Sequence, residues 1–426
     1  MEIAFIFIAW IVLLFLGIPV GFTLLIAGLL YFIMGDWNLI FASGEQLISG
    51  IDNFTLLAIP FFILTGTLMN ASGITDRIFN FAMSLVGHVP GGVGHVNITA
   101  SLMFSGMSGS SLADAGGLGQ LEIRTMRKAG YHDDFNGGLT AATSILSGII
   151  PPSLNMIIYA ALANVSVASM FIAGAVPGIL IALALFAMTF ILAKTRNYQV
   201  LERPNLKTAG QNFLKAFWAL LTPVIIIAGI FSGFFTPTEA AVVSTVYALF
   251  LGFFVYRELT FKKVYNNIIE SFKLTGVVVL MLAAIEFFGQ FIAREQVAIK
   301  IADAFLGITE NPVFLLMLMS LLLILLGTFI EALALLVLVV PVLIPVATSV
   351  GIDPVFFGAF VILNLMIGIL TPPMGMALFV VSRVGNIPMS TMYKGVLPFL
   401  IPIVVVMLLL IFFPELSTFL VDVFNE

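Results

Sequence analysis

The chain has 426 residues, of which 61% are hydrophobic and only 9% are charged, with a formal net charge of −5. Soluble domains carry about 45–50% apolar and roughly 25% charged residues, so this composition excludes a soluble globular protein. The chain contains no cysteine, which excludes disulfides, thiolate catalysis and cysteine-ligated metal centres.

The apolar segments predict membrane-spanning helices. The first segment, MEIAFIFIAWIVLLFLGIPVGF, lacks a basic amino-terminal region and a small-residue cleavage site, so it is predicted to be a retained membrane segment and not a signal peptide. Runs such as 176–193 and 396–413 are long enough to cross a bilayer and lack the alternation of membrane strands. The sequence therefore predicts an all-α integral membrane protein of about 10–12 spans.

Two unusual segments mark the first half of the chain. FSGMSGSSLADAGGLG (104–119) places glycines and serines between apolar arms, which predicts a re-entrant hairpin near 104–119. Pro151 and Pro152 then interrupt an apolar run, which predicts a broken helix near 137–165. Because a proline has no N–H, the two prolines free the carbonyls of Ser147 and Gly148 from helical hydrogen bonds.

The middle of the chain carries two basic connections, 194–215 and 256–273, which are predicted to be cytoplasmic. The apolar stretch between them, 216–255, is long enough for two crossings. Within it, FTPTEAA (235–241) predicts a helix start, with Glu239 as an acidic residue in the first turn.

The second half repeats the first at a shift of 221 residues. Under this shift Gly106 falls on Gly327, and the proline pair 151–152 falls on Pro372 and Pro373. Matches at glycine and proline are informative because each residue answers a backbone requirement. The sequence therefore predicts two related repeats, 1–200 and 201–426, with inverted topology as the expected relation.

The second repeat has its own hairpin and break. LGTFIEALALLV (326–337) predicts a hairpin near 326–350, and GILTPPMGM (368–376) predicts a broken helix near 355–385. Pro372 and Pro373 free the carbonyls of Gly368 and Ile369. Paired interrupted segments of this kind are typical of the binding site of a secondary transporter, because the freed carbonyls suit a cation and helix N-termini suit an anion. Plain helix packing through small residues and prolines is the alternative.

Four motifs in this order, FSGMSGSSLADAGG, IIPPS, FTPTEAA and LTPPMG, resemble the large membrane subunit of tripartite ATP-independent periplasmic (TRAP) transporters. The resemblance implies a bacterial inner-membrane permease within the membrane lipids that works with a small four-helix membrane subunit and a periplasmic substrate-binding protein. It implies sodium-coupled import of an organic anion by an elevator-type movement, and no nucleic-acid partner.

The same resemblance implies two sodium sites, with sodium transported and no organic cofactor. The second site would use the carbonyls of Gly327, Gly368, Thr371 and Met374. By the 221-residue shift, the first site would involve Gly106, Ser147, Ile150 and Ser153, with the hydroxyls of Ser105 and Ser108 close in sequence.

Several polar residues in apolar surroundings are candidates for substrate binding. Arg383 is the candidate for the substrate carboxylate, and the alternative is an arginine that reaches the membrane interface. The other candidates belong to the hairpins and the first break: Ser110, Ser111, Asp114, Asn155 and Glu331.

Two rival hypotheses remain beside the sodium-coupled TRAP permease. One is a stand-alone dicarboxylate symporter or exchanger without a binding protein, and the other is a membrane-embedded enzyme. The sequence contains neither HExxH nor GxxxxGK[ST], so neither a zinc-protease site nor ATP hydrolysis is predicted. Among substrates, the GGLG-containing hairpin and Arg383 favour sialic acid over C4-dicarboxylates.

Overall fold

The computed structural model describes residues 2–35, 39–198, 200, 202 and 205–425, and this part of the chain is helical without any strand. Helices α1 to α8 span Glu2–Phe15, Val20–Met34, Leu39–Ser49, Ala58–Ala71, Ile74–Val86, Gly92–Ser108, Ser111–Gly117 and Gly119–Lys128. Helices α9 to α15 span Asp133–Ser144, Leu146–Ile149, Leu154–Ala163, Val167–Thr195, Leu206–Phe231, Pro237–Phe250 and Phe261–Arg294. Helices α16 to α22 span Val297–Leu306, Pro312–Gly327, Ala332–Ser349, Pro354–Gly368, Met376–Gly385, Met389–Phe412 and Glu415–Asn425. A 3-10 turn, Phe54–Leu57, leads into α4, and a π turn, Leu251–Val255, follows α14.

Several helices begin where a polar residue precedes a proline. Thr236 caps α14 by accepting from the Glu239 N–H, and the Glu239 carboxylate accepts from the Thr236 N–H, which confirms the helix start predicted from TPTEAA. Asn311 before Pro312 and Asp353 before Pro354 cap α17 and α19 in the same way. A cap followed by proline is favourable because the first N–H groups of a helix have no internal partner.

The described helices fit a membrane environment. Seven of them are long and apolar enough to cross a bilayer, namely α4, α12, α13, α14, α15, α18 and α21, with the 3-10 and π turns extending α4 and α14. The pair Asp133–Ile149 and Leu154–Ala163 passes the same test and bends by 42° at its break. This confirms the all-α integral membrane class, whereas the total of about 10–12 spans stays a prediction.

Hydroxyl groups join the helices at one side of the molecule, where α4 packs against α14 and α15. The Thr65 hydroxyl lies 3.0 Å from the Ser244 hydroxyl and 2.9 Å from that of Thr245. The Thr67 hydroxyl lies 3.2 Å from that of Ser271. Such hydrogen bonds stabilise helix contacts where lipid offers no hydrophobic driving force.

The two halves of the chain share one core. Helix α9 of the first half packs along α21 of the second. A Cβ on Gly138 would overlap the Gly395 carbonyl oxygen, and a Cβ on Gly395 would overlap the Asp134 carbonyl oxygen, so neither position has room for a side chain. Helix α11 packs on α18, and α10 packs on α19. Residues at or next to the non-helical segments after α6, α10, α17 and α19 come close together and line one small cavity.

Candidate functional site

The segment predicted as the first hairpin contains a turn at a glycine. Helix α6 ends at Ser108, and Gly109 adopts a left-handed conformation with a φ of 61° that glycine accepts without strain. Ser110 then caps α7 by accepting from the Ala113 N–H at 3.4 Å. We call Ser108–Ser110 the first tip. Its Gly109 carbonyl accepts from the Leu154 N–H at 3.1 Å, which ties the tip to the first broken helix.

The first broken helix is interrupted between α10 and α11, at residues 150–153, which we call the first break. The Pro151-Pro152 peptide bond is cis. The Ser153 hydroxyl donates to the Gly148 carbonyl at 2.7 Å and so replaces the bond that Pro152 removes. The Ser147 carbonyl, freed by Pro151, has no hydrogen-bond donor among the described residues.

The remaining residues predicted for the first ion site surround this break. Gly106 lies beside it, because a Cβ at that position would be 3.9 Å from the Pro151 carbonyl oxygen and 2.6 Å from the Pro223 side chain. The Ser105 hydroxyl donates to the Leu102 carbonyl at 2.7 Å. The Ser108 hydroxyl is buried without a partner among the described residues. Backbone and hydroxyl oxygens of this kind can coordinate a sodium ion.

The segment predicted as the second hairpin contains a short non-helical connection at residues 328–331, between α17 and α18, which we call the second tip. Glu331 caps α18, since its carboxylate accepts from the Ala334 N–H at 3.1 Å. The Thr328 carbonyl accepts from the Gly375 N–H at 3.1 Å. Gly375 and Leu154 are 221 residues apart in the sequence, and each donates its N–H to the tip of its own half.

The second broken helix is interrupted between α19 and α20, at residues 369–375, which we call the second break. Its two freed carbonyls find new donors. The Gly368 carbonyl accepts from the Thr371 N–H at 3.0 Å, and the Ile369 carbonyl accepts from the Ala377 N–H at 3.1 Å. Met374 is exposed, and the Pro372-Pro373 bond is cis.

The two helix ends that lead into the second tip and the second break touch at Gly327 and Gly368. A Cβ placed on Gly368 would lie 2.7 Å from the Gly327 Cα. The two backbones touch directly, which brings together two of the residues predicted for the second ion site.

A small cavity lies between both tips and both broken helices. It measures about 20 Å³ and is lined by Ser110, Ser111, Asn155 and Glu331 together with apolar side chains. A cavity of this size holds about one water molecule, so it is closed to a larger ligand in this conformation. Four of the six predicted substrate residues therefore lie together.

The other two substrate candidates lie elsewhere. Asp114 is buried on α7, and its Oδ2 accepts from the Ser147 hydroxyl at 3.1 Å, so it lies next to the first break. Arg383 is exposed on α20 and lines a separate, open cavity of about 710 Å³ with Phe379 and Asn386. The structure does not bring Arg383 to the small cavity.

One buried acid near the site escaped the sequence reasoning. Glu122 of α8 is buried, and its Oε1 accepts from the Ser101 hydroxyl at 3.4 Å. A signal for it exists in the sequence, because Glu122 shares a helix face with Gly119, Ile123 and Met126 at spacings of three and four. The spacing therefore predicts that Glu122 is buried, unlike the polar residues on the opposite face of α8.

No group of three or more histidine, aspartate or glutamate side chains within the described ranges could hold a metal ion together. The candidate ion ligands are instead main-chain carbonyls and hydroxyls at interrupted helices. Such oxygens, at the C-terminal ends of half-helices, suit sodium in membrane transporters.

The family model described as "Tripartite ATP-independent periplasmic transporter, DctM component" matches residues 7–416. The sialic acid TRAP transporter large permease protein SiaM of Vibrio cholerae is 56% identical over 415 residues, covering 97% of both chains. The sialic acid TRAP transporter permease protein SiaT of Haemophilus influenzae is 56% identical over 412 residues, covering 97% of this chain and 67% of that one. The 2,3-diketo-L-gulonate TRAP transporter large permease protein YiaN of Escherichia coli is 33% identical, covering 94% of both chains.

Two solved structures share the fold. The YdaH transporter of Alcanivorax borkumensis superposes with a TM-score of 0.62 at 15% identity, over 86% of each chain. MtrF of Neisseria gonorrhoeae superposes with a TM-score of 0.58 at 15% identity, over 89% of this chain and 86% of that one. At such low identity these likenesses support the helical membrane fold alone.

Proposed function

We propose that this chain, which belongs to the DctM-component family of TRAP transporters, imports a small polyhydroxylated organic acid together with sodium ions. Membership of the family confirms the resemblance seen in the sequence. It makes the chain a multi-pass membrane permease of a TRAP system for organic anions, and a transporter rather than an enzyme. The substrate, the sodium coupling and the movement are what the proposal adds.

The residues around the small cavity carry the choice of substrate. Ser110, Ser111 and Asn155 offer hydroxyl and amide groups, whereas Glu331 offers a carboxylate. A carboxylate repels a second carboxylate but accepts strong hydrogen bonds from hydroxyl or amide groups of a substrate. This lining favours a sugar acid over a plain C4-dicarboxylate. Both relatives at 56% identity are named for sialic acid, and we propose sialic acid as the substrate.

The proposed ion sites lie at the two tip-and-break contacts. The first would use oxygens of Gly106, Ser147, Ile150 and Ser153 with the hydroxyls of Ser105 and Ser108, and the second would use the carbonyls of Gly327, Gly368, Thr371 and Met374. Support comes from the Ser147 carbonyl, which lacks a donor among the described residues, and from the buried Ser108 hydroxyl. The half-helix that ends before each break also directs its negative dipole end to this place.

The proposed mechanism follows from the closed cavity. A sugar acid fits only if a tip moves away from its break, and the links Gly109–Leu154 and Thr328–Gly375 are the hydrogen bonds that this movement would change. We propose that the hairpins and broken helices of the repeats 1–200 and 201–426 move together as an elevator-type unit against the remaining helices. Arg383 in its open cavity would meet the substrate carboxylate outside the small cavity.

The partners follow from the family description and from the names of the relatives. A tripartite system implies two further components, and the word "large" in the name of SiaM implies a smaller membrane subunit. SiaT is longer, since the match covers 67% of it, and it is not called large. We propose a separate four-helix membrane subunit, a periplasmic binding protein that delivers the anion, and a location in the bacterial inner membrane.

The test is uptake of radioactive sialic acid into proteoliposomes that contain the chain and its co-purified small subunit, with the binding protein outside. The proposal predicts uptake that requires both an inward sodium gradient and the binding protein. Unchanged uptake in choline would reject sodium coupling. Uptake without any binding protein would favour the stand-alone symporter or exchanger instead.

A further inference from the structure

Two buried carboxylates lie together beside the first break, outside the small cavity. Asp114 of α7 and Glu122 of α8 are each only 1% exposed. None of the ion pairs among the described residues involves either carboxylate. An ionised carboxylate within a membrane protein is costly unless a positive charge or several hydrogen-bond donors compensate it.

The hydroxyl groups around the pair are too few to satisfy it. The Ser147 hydroxyl donates to Asp114 Oδ2 at 3.1 Å, and the Ser101 hydroxyl donates to Glu122 Oε1 at 3.4 Å. Ser101 lies near both carboxylates, but a hydroxyl carries one proton and can donate to only one of them at a time. Asp114 Oδ1 is accordingly buried without a hydrogen-bond partner among the described residues.

A chain of polar side chains adds a donor on the Glu122 side alone. The Thr143 hydroxyl donates to Asn97 Oδ1 at 2.6 Å, and the Asn97 amide donates to Thr140 Oγ1 at 2.8 Å. Thr140 therefore accepts from Asn97, and its own proton is free to turn toward the nearby Glu122 carboxylate. The donors converge on Glu122, and the unsatisfied oxygen belongs to Asp114.

We propose that Asp114 and Glu122 together hold a sodium ion of their own, in addition to the ions proposed at the two breaks. The ligands would be Asp114 Oδ1, a Glu122 oxygen and the Ser101 hydroxyl. Carboxylate and hydroxyl oxygens are the ligands that hard cations prefer. The inference rests on the proposed sodium coupling, because it adds a site to the same transport cycle.

Ser147 connects this site to the first break. Its hydroxyl donates to Asp114, while its carbonyl is the one that Pro151 frees. Binding of sodium at the carboxylate pair would therefore fix the orientation of a ligand of the neighbouring ion. Alternatively, Asp114 could act only as a counter-charge for the ion at the first break. That role would need Asp114 but not Glu122, whereas a separate sodium site needs both carboxylates, so variants of the two residues distinguish the two explanations.

The experiment is the sodium-to-substrate ratio, measured from reversal potentials in proteoliposomes that contain the complete transporter. Asp114→Asn and Glu122→Gln each remove the charge and keep the size. Both variants are expected to transport with one sodium ion fewer than the wild type. The control Asp303→Asn, at an exposed residue of α16, should keep the wild-type ratio.

For a variant that folds without transporting, radioactive sodium bound per molecule at saturation is counted, and one ion fewer than in the wild type is expected. An unchanged ratio or an unchanged number of bound ions in both variants would overturn the inference. A changed ratio in Asp114→Asn alone would identify a counter-charge and also overturn it. Wild-type uptake that ignores sodium would instead overturn the proposed function, so the two failures are distinguishable.

Discussion

Gly368→Ala introduces a methyl group where the last residue of α19, next to the second break, touches Gly327, the last residue of α17 before the second tip. The new Cβ would lie 2.7 Å from the Gly327 Cα and 2.9 Å from the Gly327 carbonyl carbon. Nonbonded carbon atoms rest at about 3.5–4.0 Å, so the tip would have to retreat by about 1 Å. Neither glycine has a left-handed backbone, so alanine fits the local conformation and the effect comes from this contact alone.

The size of the effect follows from the energy of overpacking. Extra methyl groups in a packed interior cost about 1–3 kcal/mol. If this energy falls on the state in which tip and break hold the ion, sodium affinity falls about 5- to 150-fold, at about 1.4 kcal/mol for each factor of ten. The nearby hydrogen bond from the Gly375 N–H to the Thr328 carbonyl, now 3.1 Å, would also lengthen.

The assay is the sodium concentration that half-saturates uptake in proteoliposomes, measured for wild type and variant. Gly276→Ala is the matched control, because a Cβ at Gly276 on α15 meets nothing within 4 Å. That substitution should leave sodium dependence unchanged and be neutral or stabilising by up to about 1 kcal/mol. Wild-type sodium dependence in folded Gly368→Ala would refute the reasoning that tip and break together form an ion site.

Further variants separate the roles of the other residues. Ser153→Ala leaves the Gly148 carbonyl without its donor at a cost of about 1–3 kcal/mol, and half-saturating sodium should rise about 5- to 150-fold in the uptake assay; equal values would free Ser153 of this role. Thr371→Ala should change the half-saturating sodium concentration little, because only the Thr371 carbonyl is proposed as a ligand. A large rise in that concentration would show that the Thr371 hydroxyl is needed as well. Glu331→Gln keeps an oxygen for the helix cap but loses the charge, so the KM for sialic acid uptake should rise about tenfold, and an unchanged KM would remove Glu331 from substrate binding. Arg383→Ala should weaken anion uptake while sodium binding is retained. Normal uptake would instead support the alternative that Arg383 only reaches the membrane interface.

The ends of several helices can be predicted from one or two residues of the sequence. A proline lacks an N–H and cannot continue the helix before it, and α10 and α19 end at Ile149 and Gly368, shortly before the proline pairs. The polar residue before a proline likewise marks the start of α14 at Thr236. These features depend on one or two adjacent residues, which is why they can be predicted without the fold.

Partners of the freed carbonyls could not be predicted, because they depend on distances across the breaks. Ser153 folds back on Gly148 in the first half, whereas the backbone N–H of Ala377 serves Ile369 in the second. The position of Arg383 could not be predicted either. Its apolar neighbours in the sequence do not indicate that Arg383 and Glu331 line two different cavities. Proximity of this kind comes from the packing of α20 against its neighbours.

For Glu122, the sequence predicts burial but not the neighbouring acid. Its position on the buried face of α8 is visible in the spacing of neighbouring apolar residues, yet its closeness to Asp114 arises only because α7 and α8 both pack against α6 and α9. The pairing of two acids from different helices is a tertiary property. Helical periodicity alone predicts burial of Glu122 but not its neighbour.

The most direct test of the central claim is a high-resolution experimental density map of the transporter in saturating sodium, compared with one in potassium. The account predicts, in sodium only, a density peak bonded to the Ser147 carbonyl at the first break and another bonded to the Gly368 and Gly327 carbonyls at the second. Breaks that hold no ion in sodium, with their carbonyls hydrogen-bonded only to protein, would contradict it.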